Sequence, residues 1–270
     1  MLRAMAALFG NRHTTSRSTG RQRLSAAVLP AVVYAIGDVH GCLDELRRLE
    51  QLIRADAAGV EGEKWLVLLG DYIDRGPRSA QVIDHLLAPP PEGFRRFTLA
   101  GNHEQMLLDF LAAPRRHPDW LAYGGVETLA SYGIDAGDEP SRAATALEAR
   151  MPQVHLDWLR QLPVSLELPG FVFVHAGLRP GLPLAEQDES DLLWIREPFL
   201  DGPGAPGLVV VHGHTPETEP VVRPWRVGID TAAFVTGKLT AARIDAGGGI
   251  SFLASDSANS LSAPAAAETD

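Results

Sequence analysis

At 270 residues the chain is long for one domain and short for two, so one domain with appendages is expected. Its 45% hydrophobic and 21% charged residues exclude a chain disordered throughout, and a net charge of −10 argues against non-specific nucleic-acid binding. No apolar run approaches the ~20 residues of a membrane span. The single cysteine, Cys42, excludes an intramolecular disulfide and a cysteine-rich zinc site and fits a cytoplasmic protein.

Residues 1–37 carry no Asp or Glu but five arginines, from Arg3 to Arg23. Met5-Ala6-Ala7-Leu8-Phe9 is cut short by Gly10, too brief for a secretory signal. Residues 1–30 are therefore read as a disordered basic arm, although their composition also suits an organellar transit peptide. Short apolar runs then end abruptly in Gly, Asp, Asn or His. Val32–Ile36 meets Gly37-Asp38, Trp65–Leu69 meets Gly70-Asp71, and Phe97–Leu99 leads into Gly101-Asn102-His103. Phe171–Val174 meets His175, and Leu208–Val211 meets His212-Gly213-His214. Each run has strand length and composition. Helical periodicity lies between them, with Leu43, Leu46, Leu49 and Ile53 on one face and Val82, Ile83, Leu86 and Leu87 on another.

Strands alternating with helices predict an α/β fold, in which ligands bind beyond the carboxyl ends of the strands. The catalytic domain is expected over 31–254. Residues 114–164, punctuated by Pro and Gly, read as a helical insertion beside the site, and 255–270 as a disordered tail of Ser, Ala and acid.

Six polar residues gather at the strand ends: Asp38, His40, Asp71, Asn102, His175 and His214. A mixed nitrogen and oxygen set without thiolate suits manganese, iron or zinc better than calcium. Six ligands are too many for one catalytic ion with an open position and about right for two ions sharing a carboxylate. Two divalent ions against two aspartates leave a positive site that suits a phosphate dianion. His103, next to Asn102, suits a general acid, with Asp74 to orient it and Arg75 to grip phosphate oxygens. His212 is two residues from His214, so on an extended strand both would face one side, but with six ligands already present it is read first as a supporting or structural residue. Asp230 ends a further run and reads either as a turn cap or as functional. Cys42 and Arg48 share the spacing of cysteine phosphatases, but Asp44 and Glu45 would lie in the phosphate loop, so Cys42 is read as a small buried residue.

Gly37-Asp38-Val39-His40-Gly41, Gly70-Asp71-Tyr72-Ile73-Asp74-Arg75-Gly76, Gly101-Asn102-His103-Glu104, His175-Ala176-Gly177 and Gly213-His214-Thr215 resemble, in order and spacing, the motifs of the PPP family. These are calcineurin-like metallophosphoesterases, bacterial serine/threonine protein phosphatases among them. The resemblance implies a central β-sandwich flanked by helices, in place of an open sheet. It implies that Asp38, His40 and Asp71 hold one ion, and that Asp71, Asn102, His175 and His214 hold the other. Manganese is the expected ion, with iron or zinc next. His103 would be the general acid paired with Asp74, and Arg75 and Arg196 would bind phosphate. Two departures stand out: Ala100 where many members carry Arg, and His212 where eukaryotic members carry Arg. The implied function is a phosphomonoester hydrolase, first of all a serine/threonine protein phosphatase, acting on phosphoproteins, phosphopeptides or small phosphoesters. The alternatives are a symmetrical diadenosine tetraphosphatase and a non-catalytic module on this scaffold.

Overall fold

The computed structural model describes residues 20–256. Two mixed sheets pack face to face. The first runs β11-β10-β2-β3-β4, with β2 (Val32–Ile36), β3 (Lys64–Leu68), β4 (Phe94–Thr98), β10 (Thr240–Asp245) and β11 (Ile250–Ala254). The second runs β1-β5-β6-β7-β9-β8. Its strands are β1 (Arg23–Ser25), β5 (Ser165–Leu168), β6 (Phe171–Val174), β7 (Val209–His212), β8 (Val221–Arg223) and β9 (Arg226–Gly228).

The alternation of side chains builds both faces. Val33, Ala35, Trp65 and Val67 from one sheet meet Leu166, Phe171, Phe173 and Val211 from the other in the inter-sheet core. The intervening Val32, Tyr34, Ile36, Leu66 and Leu68 turn outward onto helices. There α1 (Leu43–Asp56) buries Leu43, Leu46, Leu49 and Ile53, and α2 (Ser79–Leu87) buries Val82, Ile83 and Leu86. Strands covered on both faces must be apolar at every position, which is why these runs read as continuous rather than alternating. Strands β2, β3 and β4 are mutually parallel, as are β6, β7 and β9, so their following loops can gather at one end of the sandwich.

Residues 114–164 include a wide helical turn, Leu121–Gly125, continued by α4 (Val126–Ser131), then α5 (Pro140–Arg150) and α6 (Gln153–Gln161). The helix that precedes them, α3 (Asn102–Ala112), starts at the motif itself, and α7 (Glu189–Trp194) and α8 (Ala233–Thr236) follow later. Among the described residues no helix is long and apolar enough to cross a membrane.

The arm expected over 1–30 is anchored well before residue 30, and its first 19 residues lie outside the described ones. β1 pairs in parallel with β5, and the Gln22 carbonyl accepts from Val164 N at 2.8 Å. Arg21 donates to the Leu159 and Leu162 carbonyls at 2.9 and 3.2 Å, satisfying the end of α6. An arginine that reads as solvated charge in the sequence is thus a clasp on a helix terminus. At the other end Ser255 Oγ accepts from Leu239 N at 2.9 Å, and residues 257–270 of the expected tail lie outside the described ones.

Candidate active site

The loops after β2, β3, β4, β6 and β7 bring all six strand-end residues together. Asp71 lies at the centre. Its Oδ2 is 3.4 Å from His40 Nε2 and its Oδ1 is 3.5 Å from His175 Nε2. Two groups of donors with mutual distances within 4.8 Å share it: Asp38, Asp71 and His175 in one, His40, Asp71 and His103 in the other. Asn102 Oδ1 is 2.8 Å from His175 Nε2 and 3.0 Å from His214 Nδ1.

Backbone carbonyls set the imidazole faces. His40 Nδ1 donates to the Ile73 carbonyl at 2.8 Å and His175 Nδ1 to the Leu69 carbonyl at 3.0 Å. Each ring therefore turns its Nε2 lone pair inward, as metal-ligating histidines do. Burial raises the Asp38 carboxyl well above its usual range, helped by the Asp230 and Asp71 charges. Burial also lifts Asp71, but His175, His103 and His40 overcome it and hold this carboxyl below the usual range. Crowded buried carboxylates facing convergent lone pairs are a donor set that a divalent cation fits.

Burial holds His40, His212 and His214 at about 3, so all three are neutral in the fold near neutral pH. An unfolded chain takes up those protons near 6.5, so acid favours unfolding. Glu104 and Asp230, which burial lifts to about 7 and about 6, take up protons in the fold between pH 7 and pH 5 and offset this in that window. We predict that chelator-treated protein loses stability as pH falls from 5 toward 3, by up to about 1.4 kcal/mol per pH unit for each of these histidines. Guanidinium midpoints that stay level between pH 5 and pH 3 would contradict this.

Backbone strain marks the same residues. His40, Asp71, Asp74, Arg75 and His214 all have positive φ, between 43° and 70°. Such conformations cost non-glycine residues on the order of 1–3 kcal/mol each and persist where the surroundings over-determine them. Glu104 supplies part of that restraint. Its buried carboxylate accepts from Asp71 N, Tyr72 N and Gly101 N at 2.8–2.9 Å, tying the β3 loop to the start of α3. Burial lifts this carboxyl to about 7, with Asp71 adding to the effect.

His103 Nδ1 donates to Asp74 Oδ2 at 2.7 Å. Asp74 is wholly buried and also accepts from Trp120 Nε1 at 2.8 Å and Thr128 Oγ1 at 2.6 Å. Both of these come from the helical segment after residue 114, which therefore reaches the site. The sequence reading missed them because nothing local links a Trp or Thr to a carboxylate some 50 positions earlier. Arg75 places its guanidinium nitrogens 3.1 Å from His40 Nε2 and from His103 Nε2 and stacks on Phe234, 4.8 Å from the ring centroid. Its backbone N–H donates to the Gly124 carbonyl at 3.1 Å. Gly124 has a φ of 110°, and a Cβ there would stand 2.5 Å from Arg75 N. Gly124→Ala is expected to displace Arg75 and lower kcat/KM on p-nitrophenyl phosphate by about tenfold, with bound metal unchanged. Unchanged turnover and melting temperature would remove Gly124 from this role.

Arg196 stands at the rim, its guanidinium 3.4 Å from the His214 carbonyl. His212 does not join His214. β7 ends at His212, and His214 takes a left-handed conformation, so the two-residue rule for strands fails here. His212 packs against Phe199 and lies 3.4 Å from Arg226. Ala100 is wholly buried in the apolar core, so an arginine there would put a cation into that core before it could reach phosphate. Asp230 is the turn cap that the sequence offered. It caps Ala232 N at 2.9 Å and lies against Asp38, while burial lifts it to about 6. Cys42 is buried, and burial pushes its thiol up to about 12, far from a nucleophile.

A cavity of about 780 Å³ opens on Asp71, Asn102, His103 and His214, and Tyr123, Trp194, Arg116 and Arg179 line its outer walls.

The family model for calcineurin-like phosphoesterases matches residues 31–237. The chain belongs to that family. A symmetrical bis(5'-nucleosyl)-tetraphosphatase of Methylococcus capsulatus is 32% identical over 148 residues, 55% of this chain and 44% of the relative. Another, of Thioalkalivibrio sulfidiphilus, is 30% identical over 192 residues, 68% of this chain and 59% of the relative. The chain spans about half the length of the curated relatives it matches. A crystal structure whose assignment as a diadenosine tetraphosphatase is itself inferred aligns with a TM-score of 0.61 at 23% identity, covering 87% of this chain and 98% of that one. A cold-active protein tyrosine phosphatase aligns at 0.53 and 20% identity, covering 92% and 88%. Both structures share the phosphoesterase fold, and at these identities the likeness is one of fold alone.

Proposed function

We propose that this phosphoesterase-family chain is a divalent-metal-dependent hydrolase of dinucleoside tetraphosphates. The observation that carries the reading is the cavity of about 780 Å³, which combines the donor cluster, arginines and exposed aromatic walls. A phosphate chain calls for guanidinium groups, and the flat faces of bases call for aromatic surfaces. Arg179 is clamped by Asp191 through two contacts of 2.6 Å, so phosphate oxygens fall to Arg75, Arg116 and Arg196. The names of the curated relatives support the same substrate class. The serine/threonine phosphatase expected from the motifs is the competing reading, and none of the relatives named above carries it.

Asp38, His40 and Asp71 would hold one ion, and Asp71, Asn102, His175 and His214 the other, with manganese the first choice. Two such ions would supply Lewis acidity toward phosphate oxygens and lower the pKa of a water nucleophile. The chain's own groups do the rest. Asp74, fixed by Trp120 and Thr128, holds the His103 ring so that its Nε2 faces the cavity. Burial opposes protonation of His103, but the Asp71 and Asp74 charges outweigh it and raise its pKa, which suits a proton donor. Arg75, drawn toward a phosphate, would leave Nε2 free to carry that proton. Water then adds across the central P–O–P bond. Its oxygen stays on one inner phosphorus, the bridging oxygen leaves with the other, and His103 protonates the leaving oxygen.

The test is a side-by-side rate comparison on diadenosine tetraphosphate and a phosphoserine peptide with added manganese. The expected result is kcat/KM at least about a hundredfold higher on the dinucleotide, a margin of about 2.7 kcal/mol. Equal rates, or a preference for the peptide, would restore the protein-phosphatase reading.

A further inference from the structure

The main cavity is not alone at Arg75. A second cavity of about 530 Å³ adjoins it, lined by Leu121, Val126, Glu127 and Phe234. The two share Arg75 and Tyr123. Both volumes fall within the roughly 300–1,000 Å³ typical of small-molecule sites. The second differs from the first in chemistry. Tyr123 is 57% exposed and Val126 43% exposed, and the half-buried Phe234 adds a third apolar surface. Among the described residues Arg75 is its one cation, placed where it meets the first cavity. Such a groove suits a base, not a phosphate.

A dinucleoside tetraphosphate cut at its centre has two phosphates and one nucleoside on each side of the broken bond. A site for that cut needs an arm on each side of the reacting phosphorus. Arg75 occupies the junction. Its guanidinium is 3.1 Å from both His40 Nε2 and His103 Nε2, and it stacks on Phe234. A phosphate gripped there stands beside the donor cluster and at the mouth of both cavities.

We propose that the two nucleosides lie in different cavities, one against Trp194 and one against Phe234 and Tyr123, with the phosphate chain bridging them across Arg75. This rests on the reading of the substrate given above and adds where each half is bound. It also explains how a pocket with no internal symmetry could direct a symmetrical cut: the centre is set by Arg75 and the donor cluster, and each arm needs only to accept a base.

The experiment fills each arm separately in the full chain. Val126→Trp obstructs the second cavity and Ser190→Trp the first; both positions are exposed and neither belongs to the donor cluster. KM is measured for diadenosine tetraphosphate, and kcat/KM for p-nitrophenyl phosphate, which has no nucleoside. Each variant should raise KM for the dinucleotide about tenfold, the loss of one stacked base, and leave p-nitrophenyl phosphate hydrolysis unchanged. An effect from only one variant, or from neither, overturns the two-arm placement while the substrate reading stands. A parallel loss on p-nitrophenyl phosphate overturns it too, because the effect would then lie at the reacting phosphate. A wild-type protein that does not cleave the dinucleotide overturns the substrate reading itself.

Discussion

Asp71→Asn should lose both metals at once and lower turnover by about 10³-fold or more, while the fold survives. The side chain lies between His40 and His175, which are ligands of different ions in the proposed sets, at 3.4 and 3.5 Å, so removing its charge weakens each. A unit charge pair at 4 Å is worth about 4 kcal/mol at an effective dielectric of 20, which is close to three powers of ten. The substitution keeps the shape of the residue, and an amide oxygen can still accept from His103 N, now 3.0 Å from Asp71 Oδ1. Metal content by mass spectrometry and circular dichroism separate lost ligation from lost structure. A variant that keeps its metals and near-normal turnover would show that Asp71 is not shared.

His103→Asn should cut turnover roughly 10²–10⁴-fold on substrates with a poor leaving group, with metal content unchanged. The loss should shrink on p-nitrophenyl phosphate, whose leaving group hardly needs a proton. Trp120→Phe, which removes the 2.8 Å bond to Asp74, should give a milder loss with the same dependence on leaving group. Equal losses on both kinds of substrate would take proton donation away from His103.

The strand-end motifs were legible because their chemistry is local. An apolar run followed by Gly-Asp states both a strand and what stands at its end, and Asp38, His40, Asp71, Asn102, His175 and His214 do converge. What the sequence hid was held by distant partners. β4 begins with Phe94-Arg95-Arg96, which does not read as a strand. In the fold Arg95 stacks over Trp65 and Phe97, and Arg96 bonds the Leu86 and Ala88 carbonyls and Glu50. β1 was lost within a basic segment, and β10 was lost because Thr-Ala-Ala-Arg-Ile-Asp has little strand character until it pairs with β2. At the site, Trp120, Thr128 and Phe234 act through geometry alone, without a motif. Ala232 could have been found only from the backbone, as a sixth non-glycine residue with positive φ, directly beside the Asp230 loop.

The most direct measurement is the identity of the nucleotides released from diadenosine tetraphosphate by the manganese-loaded protein, separated by ion-exchange chromatography. Attack at a centre flanked by two arms predicts ADP as the sole product, two molecules for each substrate consumed. Release of AMP with ATP, or no release at all from a protein carrying its full metal complement, would contradict the account.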